Sequence, residues 1–241
     1  MGEYPRAILG GGKQAAHVLC LLEWMGLPWK ECLLFDDCYG NIKTGARNLA
    51  IAGSLGDGIR ACSGQKLAAI VALGSKHAAV RYLTYQRAVR AGISLVSVIH
   101  PSCVIAPTAT IGANVVMMPG CIVGPGASLG NLCCLFSQVT VEHDCSIGDN
   151  VTMGPASTLS GFVKVGAHCF LGAGVICAPE VTIHERCLLG AGAVAVSDTP
   201  PDTVCVGVPA HVTRRVVSGD DVPLETQLRD LAAAASFRDG E

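Results

Sequence analysis

The sequence predicts an α/β domain of Rossmann-like character followed by an all-β solenoid. Two patterns predict it. From Cys103 to Asp198 the chain divides without insertion into sixteen blocks of six residues. Before about residue 100 the pattern is instead strand, glycine-rich turn, helix, strand.

In the repeat, the third place of every block is apolar, from Ile105, Ile111 and Met117 through to Leu189 and Ala195. The first place holds only Ala, Cys, Ser or Val, and the fourth is Gly in eight blocks, from Gly112 to Gly190. A period of six smears apolar residues around a helix of 3.6 residues per turn, so a helix is excluded. Fixed short-period self-similarity instead means stacked units, none of which buries its apolar face alone. Short strands pointing aliphatic side chains inward, separated by tight turns with Gly at the sterically awkward place, satisfy the pattern. These blocks resemble the hexapeptide-repeat, left-handed parallel β-helix, in which three blocks make one triangular coil. The resemblance places residues 18 apart in sequence one above another.

Composition fits a narrow aliphatic core. Of 241 residues, 50% are hydrophobic, 15% charged and 5% aromatic. A net charge of −2 offers no basic field for nucleic acid. No charged residue other than His occurs between Ala91 and Val141, yet Pro101, Pro107, Pro119 and Pro125 break that interval, so no membrane span is expected. The opening MGEYPRAILGGG lacks a basic stretch followed by a long apolar run, so no export signal is expected. With 13 cysteines, an odd number, and no CxxC pair, the thiols are expected to be reduced and the protein cytoplasmic. Six of them occupy first places of blocks, where a small buried side chain is wanted.

In order, Arg6 to Leu9 reads as a strand, Gly10, Gly11 and Gly12 as a turn, and Gln14 to Met25 as a helix. Cys32 to Phe35 reads as a second strand ending in Asp36 and Asp37, and Leu67 to Leu73 as a third, ending at Gly74. A helix from Lys76 to Arg90 and a strand from Ile93 to Ile99 follow. This is βαβ grammar with a parallel sheet. A P-loop fails, because Ala7 and Gln14 stand where Gly and Ser or Thr are needed; a dinucleotide fingerprint fails at Ala15. What remains is a turn whose N–H groups, at a helix N-terminus, can receive a phosphate or a polar ligand edge. Asp36 and Asp37 at a strand's carboxyl end favour a ligand there over a bare turn. The expected domains are 1–100, the 101–217 β-helix and a 218–241 tail with a helix over about 223–237, where Leu224, Leu228 and Leu231 fall at helical spacing. The repeat is expected to stop after Asp198, with Val206 to Ala210 returning along the solenoid and Arg214 and Arg215 solvated.

The run Val141-Glu-His-Asp-Cys-Ser-Ile-Gly-Asp149, with the later Val206-Gly-Val-Pro-Ala210, resembles bacterial nucleotide-amino-sugar N-acetyltransferases and the related sialic acid O-acetyltransferases of the PglD/NeuD type. The resemblance covers the chain from Ala7 to about Ala210. It implies His143 as general base, Asp144 as the acid that raises its basicity, and Gly161 as backbone donor to the oxyanion. Independently, His143 lies outside the apolar third place and is flanked by carboxylates, which stabilise imidazolium and fix a tautomer. An amine attacking a thioester must lose a proton, which a His near neutrality can accept. Gly161 is in register with His143 one coil on.

The resemblance further implies a homotrimer with acetyl-CoA lying between adjacent solenoids, touching Thr152, Gly172, Ala173, Gly190 and Ala191. Sugar-nucleotide contacts carry over to Gly12, Lys13, Gln14, Asp36, Asp37 and Gly74. There are two departures: Lys13-Gln14-Ala15 replaces a GHG-like run, and Phe136 stands where an acceptor-orienting Asn is usual. Phe136 either packs against the sugar or reports a different acceptor. The expected substrate is a UDP-, dTDP- or GDP-linked amino sugar. O-acetylation of a sialic-acid-like sugar, acylation of a non-nucleotide amine, and a non-catalytic nucleotide-binding trimer stand as alternatives. The same solenoid also hosts zinc carbonic anhydrases, but the solenoid here has no closely spaced His pair, so no metal is expected.

Overall fold

A computed structural model describes residues 4–37 and 49–217. The chain divides at Val98/Ile99 into two compact units.

The first unit is built on four parallel strands in the order β3-β2-β1-β4. Strand β1 (Ala7–Leu9) lies between β2 (Leu33–Phe35) and β4 (Ala69–Val71), with Ile8 opposite both Leu34 and Ile70; β3 (Ile51–Gly53) is the outer strand beyond β2. Helix α1 (Lys13–Trp24) follows β1, α2 (Leu55–Gln65) follows β3 and α3 (Ala78–Arg90) follows β4. β1 and β4 are aliphatic and fully buried, the expected signature of a covered parallel sheet, while in β2 only Leu33 is exposed. Because chain order reverses between β1 and β4, the carboxyl ends of those strands bound a crevice. Gly10 has a φ of +133°, and a Cβ there would lie 2.5 Å from the Ala72 carbonyl, so only glycine fits.

Strand β3 and helix α2 are additions to the sequence reading. Glycines at 56, 58 and 64 obscure the helix, but Ser54 and Asp57 form a capping box at its start, and Gly58 lets it press on the sheet. A Cβ on Gly58 would lie 2.6 Å from Leu9 and 2.7 Å from Phe35. The expected strand from Ile93 to Ile99 is shortened. Only Leu95 bridges β4, through Ala69, before the chain turns off to His100. The Ala69 N–H donates to the Ser94 carbonyl and the Ala69 carbonyl accepts from the Val96 N–H, so the pairing with β4 is complete in one residue.

The second unit is the β-helix. Two-residue strands fall on the second and third places of the blocks and stack into three parallel sheets. One runs through Thr140–Val141, Thr158–Leu159 and Ile176–Cys177, a second through Cys134–Leu135 and Thr152–Met153, a third through Ser128–Leu129 and Ser146–Ile147. Between the strands of the repeat the register is 18 residues, as in Thr140 opposite Thr158. First- and third-place residues fill the interior, and from Met117 onward the third places are buried without exception.

The turns correct one expectation. The left-handed residue is the sixth of the block, not the fourth, and it is usually not glycine: Asn114, Leu132, Gln138, Asp144, Asn150, Phe162 and His168 all have φ between 57° and 64°. The fourth-place glycines serve close approach between coils instead. A Cβ on Gly154 would lie 2.5 Å from the Ala173 nitrogen, and one on Gly172 would lie 2.6 Å from that of Ala191.

The end of the solenoid differs as well. Coiling outlasts the sequence repeat, because Thr203–Val206 pairs in parallel with Leu188–Leu189 before a hairpin returns it antiparallel to His211–Arg215. Thus the Val206–Ala210 segment is the hairpin turn rather than a strand returning along the solenoid. Arg215 donates to the Pro201 carbonyl at 2.9 Å. The helix expected over 223–237 lies outside the described residues. Among the described residues no helix is long and apolar enough to cross a membrane.

Leu171→Ala, in the middle of the solenoid core, is expected to cost about 2–5 kcal/mol through lost burial and a residual cavity. Gly154→Ala should also destabilise, by forcing two coils apart. Urea unfolding followed by circular dichroism checks both; an unchanged midpoint for either contradicts the packing described.

Candidate active site

His143 is the fifth residue of its block, at the corner that ends the strand Thr140–Val141. Fifth-place residues point outward, and half of the His143 side chain is exposed. Its Nδ1 lies 3.0 Å from Asp144 Oδ2, so the proton sits on Nδ1 and Nε2 keeps its lone pair. Glu142, the other flanking carboxylate, is exposed and makes no such bond.

Two glycines make room for this pair. One coil on, a Cβ at Gly161 would lie 2.5 Å from His143 Nε2 and 2.6 Å from its Cε1, so the ring rests over a residue with no side chain. One coil back, a side chain on Gly126 would strike the Asp144 carboxylate. Gly161 itself is buried.

The Gly161 N–H gains meaning by comparison with another corner. There, fifth-place N–H groups donate to the fifth-place side chain one coil on: Ala113 to Asn131 Oδ1 at 2.9 Å, and Asn131 to Asp149 Oδ1 at 2.7 Å. The residue one coil beyond Gly161 is Pro179, which carries no acceptor. The Gly161 N–H finds no acceptor among the described residues. A proton acceptor and an open donor therefore share one corner.

Phe162 completes that corner and was missed in the sequence. Its ring meets His143 edge-on, with centroids 5.1 Å apart and planes at 89°. The signal lay in the register, since Phe162 follows the residue one coil beyond His143.

Phe136, Gly172, Ala173, Gly190 and Ala191 lie on a different corner, the one that precedes the His143 sheet. Ala173 and Ala191 are exposed there, in line along the coils. Thr152 is only 3% exposed on the outer face of a neighbouring sheet, so its side chain offers no surface to a cofactor. Within one chain, then, the histidine corner and the small-residue corner flank opposite sides of one sheet. The outer face of that sheet carries Val104, Ile122 and Ile176, exposed by 64%, 43% and 44%.

In the first unit, a cavity of about 180 Å³ opens at the strand ends. Gly12, Asp36, Asp37 and Gly74 line it, together with Leu55, Leu73, His77 and Val80, which sequence reasoning did not single out. Leu55 and Val80 escaped because they belong to an unrecognised helix start and to the outward side of another helix. The carboxylates are anchored: Asp36 Oδ2 accepts from the Gly11 N–H at 2.6 Å, and Asp37 Oδ1 from the Leu55 N–H at 2.9 Å, at the positive end of α2. The Gly11 donor expected to serve a ligand is therefore already used by Asp36. Lys13 is exposed at the first turn of α1, whereas Gln14 is buried and does not line the cavity. Among the described residues no group of three or more His, Cys, Asp or Glu is placed to hold a metal ion.

Comparisons with known proteins show which proteins the chain resembles. A family model described as the GMPPB C-terminal domain matches residues 94–204. No curated protein sequence matches the chain. Perosamine N-acetyltransferase from Caulobacter crescentus, solved as a histidine-to-asparagine variant with CoA and GDP-perosamine, is 31% identical, with a TM-score of 0.79 over 88% of this chain and 98% of that one. The PerB structure from the same organism, also with CoA and GDP-perosamine, is 30% identical, with a TM-score of 0.77 over 88% of this chain and 99% of that one. The acetyltransferase domain of PglB from Neisseria gonorrhoeae, with acetyl coenzyme A, is 25% identical, with a TM-score of 0.75 over 88% of this chain and 100% of that one. With that identity sustained over nearly the full length of the Caulobacter enzyme, the chain belongs to the hexapeptide-repeat, left-handed β-helix family of CoA-dependent nucleotide-amino-sugar N-acyltransferases.

Proposed function

We propose that the protein transfers the acetyl group of acetyl-CoA to the amine of a UDP-, dTDP- or GDP-linked amino sugar, with His143 as general base. The observation that carries this is the histidine corner, where an imidazole held at Nδ1 by Asp144 lies beside the open Gly161 N–H. The relatives solved with CoA and GDP-perosamine, one with its histidine changed to asparagine and another to alanine, support the substrate class.

In this mechanism the neutral amine attacks the thioester carbonyl carbon. A C–N bond forms and the carbonyl oxygen becomes an oxyanion, which accepts the Gly161 N–H. His143 Nε2 takes the proton from the nitrogen, and Asp144 stabilises the resulting imidazolium. The C–S bond then breaks, and the CoA thiolate recovers the proton from His143. Direct attack is favoured over an acyl-enzyme because Cys145, two residues away, is buried, and burial pushes its thiol pKa up, away from the thiolate form.

Acetyl-CoA is assigned to the small-residue corner of Gly172, Ala173, Gly190 and Ala191, where the pantetheine can approach the backbone. The nucleotide is assigned to the first-unit cavity. There the carboxylates of Asp36 and Asp37, which line the cavity, act as acceptors for ribose hydroxyls or base N–H groups, and Lys13 is the nearby cation for a diphosphate. A homotrimer unites the corners. Packing the apolar face of Val104, Ile122 and Ile176 around a threefold axis sets one chain's histidine corner beside its neighbour's small-residue corner. A cytoplasmic setting suits the described cysteines, which are free thiols.

Release of CoA thiol, assayed with UDP-, dTDP- and GDP-linked 3-amino and 4-amino sugars, tests the reaction. One acceptor should turn over, and His143→Ala should lower that rate by about 10²–10⁴-fold. Gly161→Ala should cause a loss of similar order, because its methyl displaces the imidazole. An undiminished rate in His143→Ala would falsify the base assignment. For assembly, light scattering should give a trimer for the wild type and smaller species for Ile122→Glu or Ile176→Glu; a wild-type monomer rules the trimer out.

A further inference from the structure

Phe162 is placed where neither backbone nor core asks for it. Its backbone is left-handed, with φ at 62°, a conformation that disfavours bulky side chains. Its ring is 51% exposed, so the residue gains little from burial. Other residues of the same column, Asp144 and Glu180, share that backbone with polar side chains suited to water. The feature particular to Phe162 is its contact with the imidazole of His143, perpendicular at 5.1 Å, a geometry in which aromatic rings attract. The two residues are also joined through the backbone, since the Phe162 N–H donates to the His143 carbonyl at 3.0 Å.

His143 needs such support. The side chain is half exposed, and the Asp144 bond fixes Nδ1 while leaving the ring free to swing about that contact. Gly161, beneath the ring, offers no side chain to stop it. Phe162 stands on the remaining flank.

We propose that Phe162 is a positioning residue, which holds the His143 ring over Gly161 so that Nε2 and the Gly161 N–H face one reacting centre. This rests on the assignment of His143 as the base. Phe162 acts through His143 and needs no contact with either substrate.

Phe162→Leu keeps apolar bulk and removes the ring, and Phe162→Asn is a second variant suited to the left-handed backbone. Each should lower kcat by about 2- to 10-fold, the range that one aromatic pair supports. KM for both substrates and the melting temperature should be unchanged, and Phe162→Tyr should restore kcat. In a His143→Ala background, Phe162→Leu should have no further effect. Independently of turnover, the His143 ring-proton resonances should lose their aromatic ring-current shift in Phe162→Leu. Wild-type kcat in both variants overturns the proposal. So does an equal loss in the His143→Ala background, because the effect then does not pass through the histidine. Full activity of His143→Ala alone removes the base assignment itself, and is recognised separately by that single variant.

Discussion

Everything in the second unit depends on the parallel backbone ladder that joins each residue to the one 18 positions later. Where glycine holds the fourth place of a block, neighbouring coils approach so closely that a Cβ would meet the next backbone, as at Gly154 and Gly172. The same ladder turns sequence positions into vertical columns. First and third places become the core, second places the outer faces, and fifth and sixth places the corners. A column is nearly invariant in environment, so a residue that departs from its column's habit requires its own explanation.

The histidine corner is a set of such departures in adjacent coils. His143 stands in a column otherwise occupied by Pro107, Pro125, Gly161, Pro179 and Ser197. Of these, Gly161 leaves room for the imidazole, and Pro179 leaves the Gly161 N–H without an acceptor. Elsewhere the equivalent N–H groups are closed off by Asn131 and Asp149. The Gly161 N–H, by contrast, is left open beside the His143 imidazole. A donor that belongs to a backbone ladder rather than a loop is already oriented, which is the property the proposed oxyanion role of Gly161 calls for.

The first unit solves a different problem with a different lattice. Its crevice follows from the reversal of strand order between β1 and β4, and from Gly10, whose backbone no other residue could adopt beside Ala72. Two carboxylates at the strand ends are held by backbone N–H groups, one from the glycine turn and one from the start of α2. Such anchoring makes the crevice an array of acceptors more than a phosphate cradle.

The sequence by itself determined the coil. A strict period of six with apolar third places marks a β-solenoid and its core columns, the β-helix resemblance adds the vertical pairing of residues 143 and 161, and the βαβ order before residue 100 marks the class of the first unit. Helix α2 was not legible, because its three glycines and its capping box speak through packing against Leu9 and Phe35 rather than through periodicity. Nor was the location of the left-handed turn residue, since non-glycine side chains adopt that backbone when the ladder on either side compels them to. The resemblance already named Asp144 as the partner of His143; only the tertiary structure decided that Phe162 flanks the ring and that Thr152 is buried. Those outcomes depend on where side chains meet across coils, and a spacing in sequence sets the coil and column of a residue but not the direction its side chain takes.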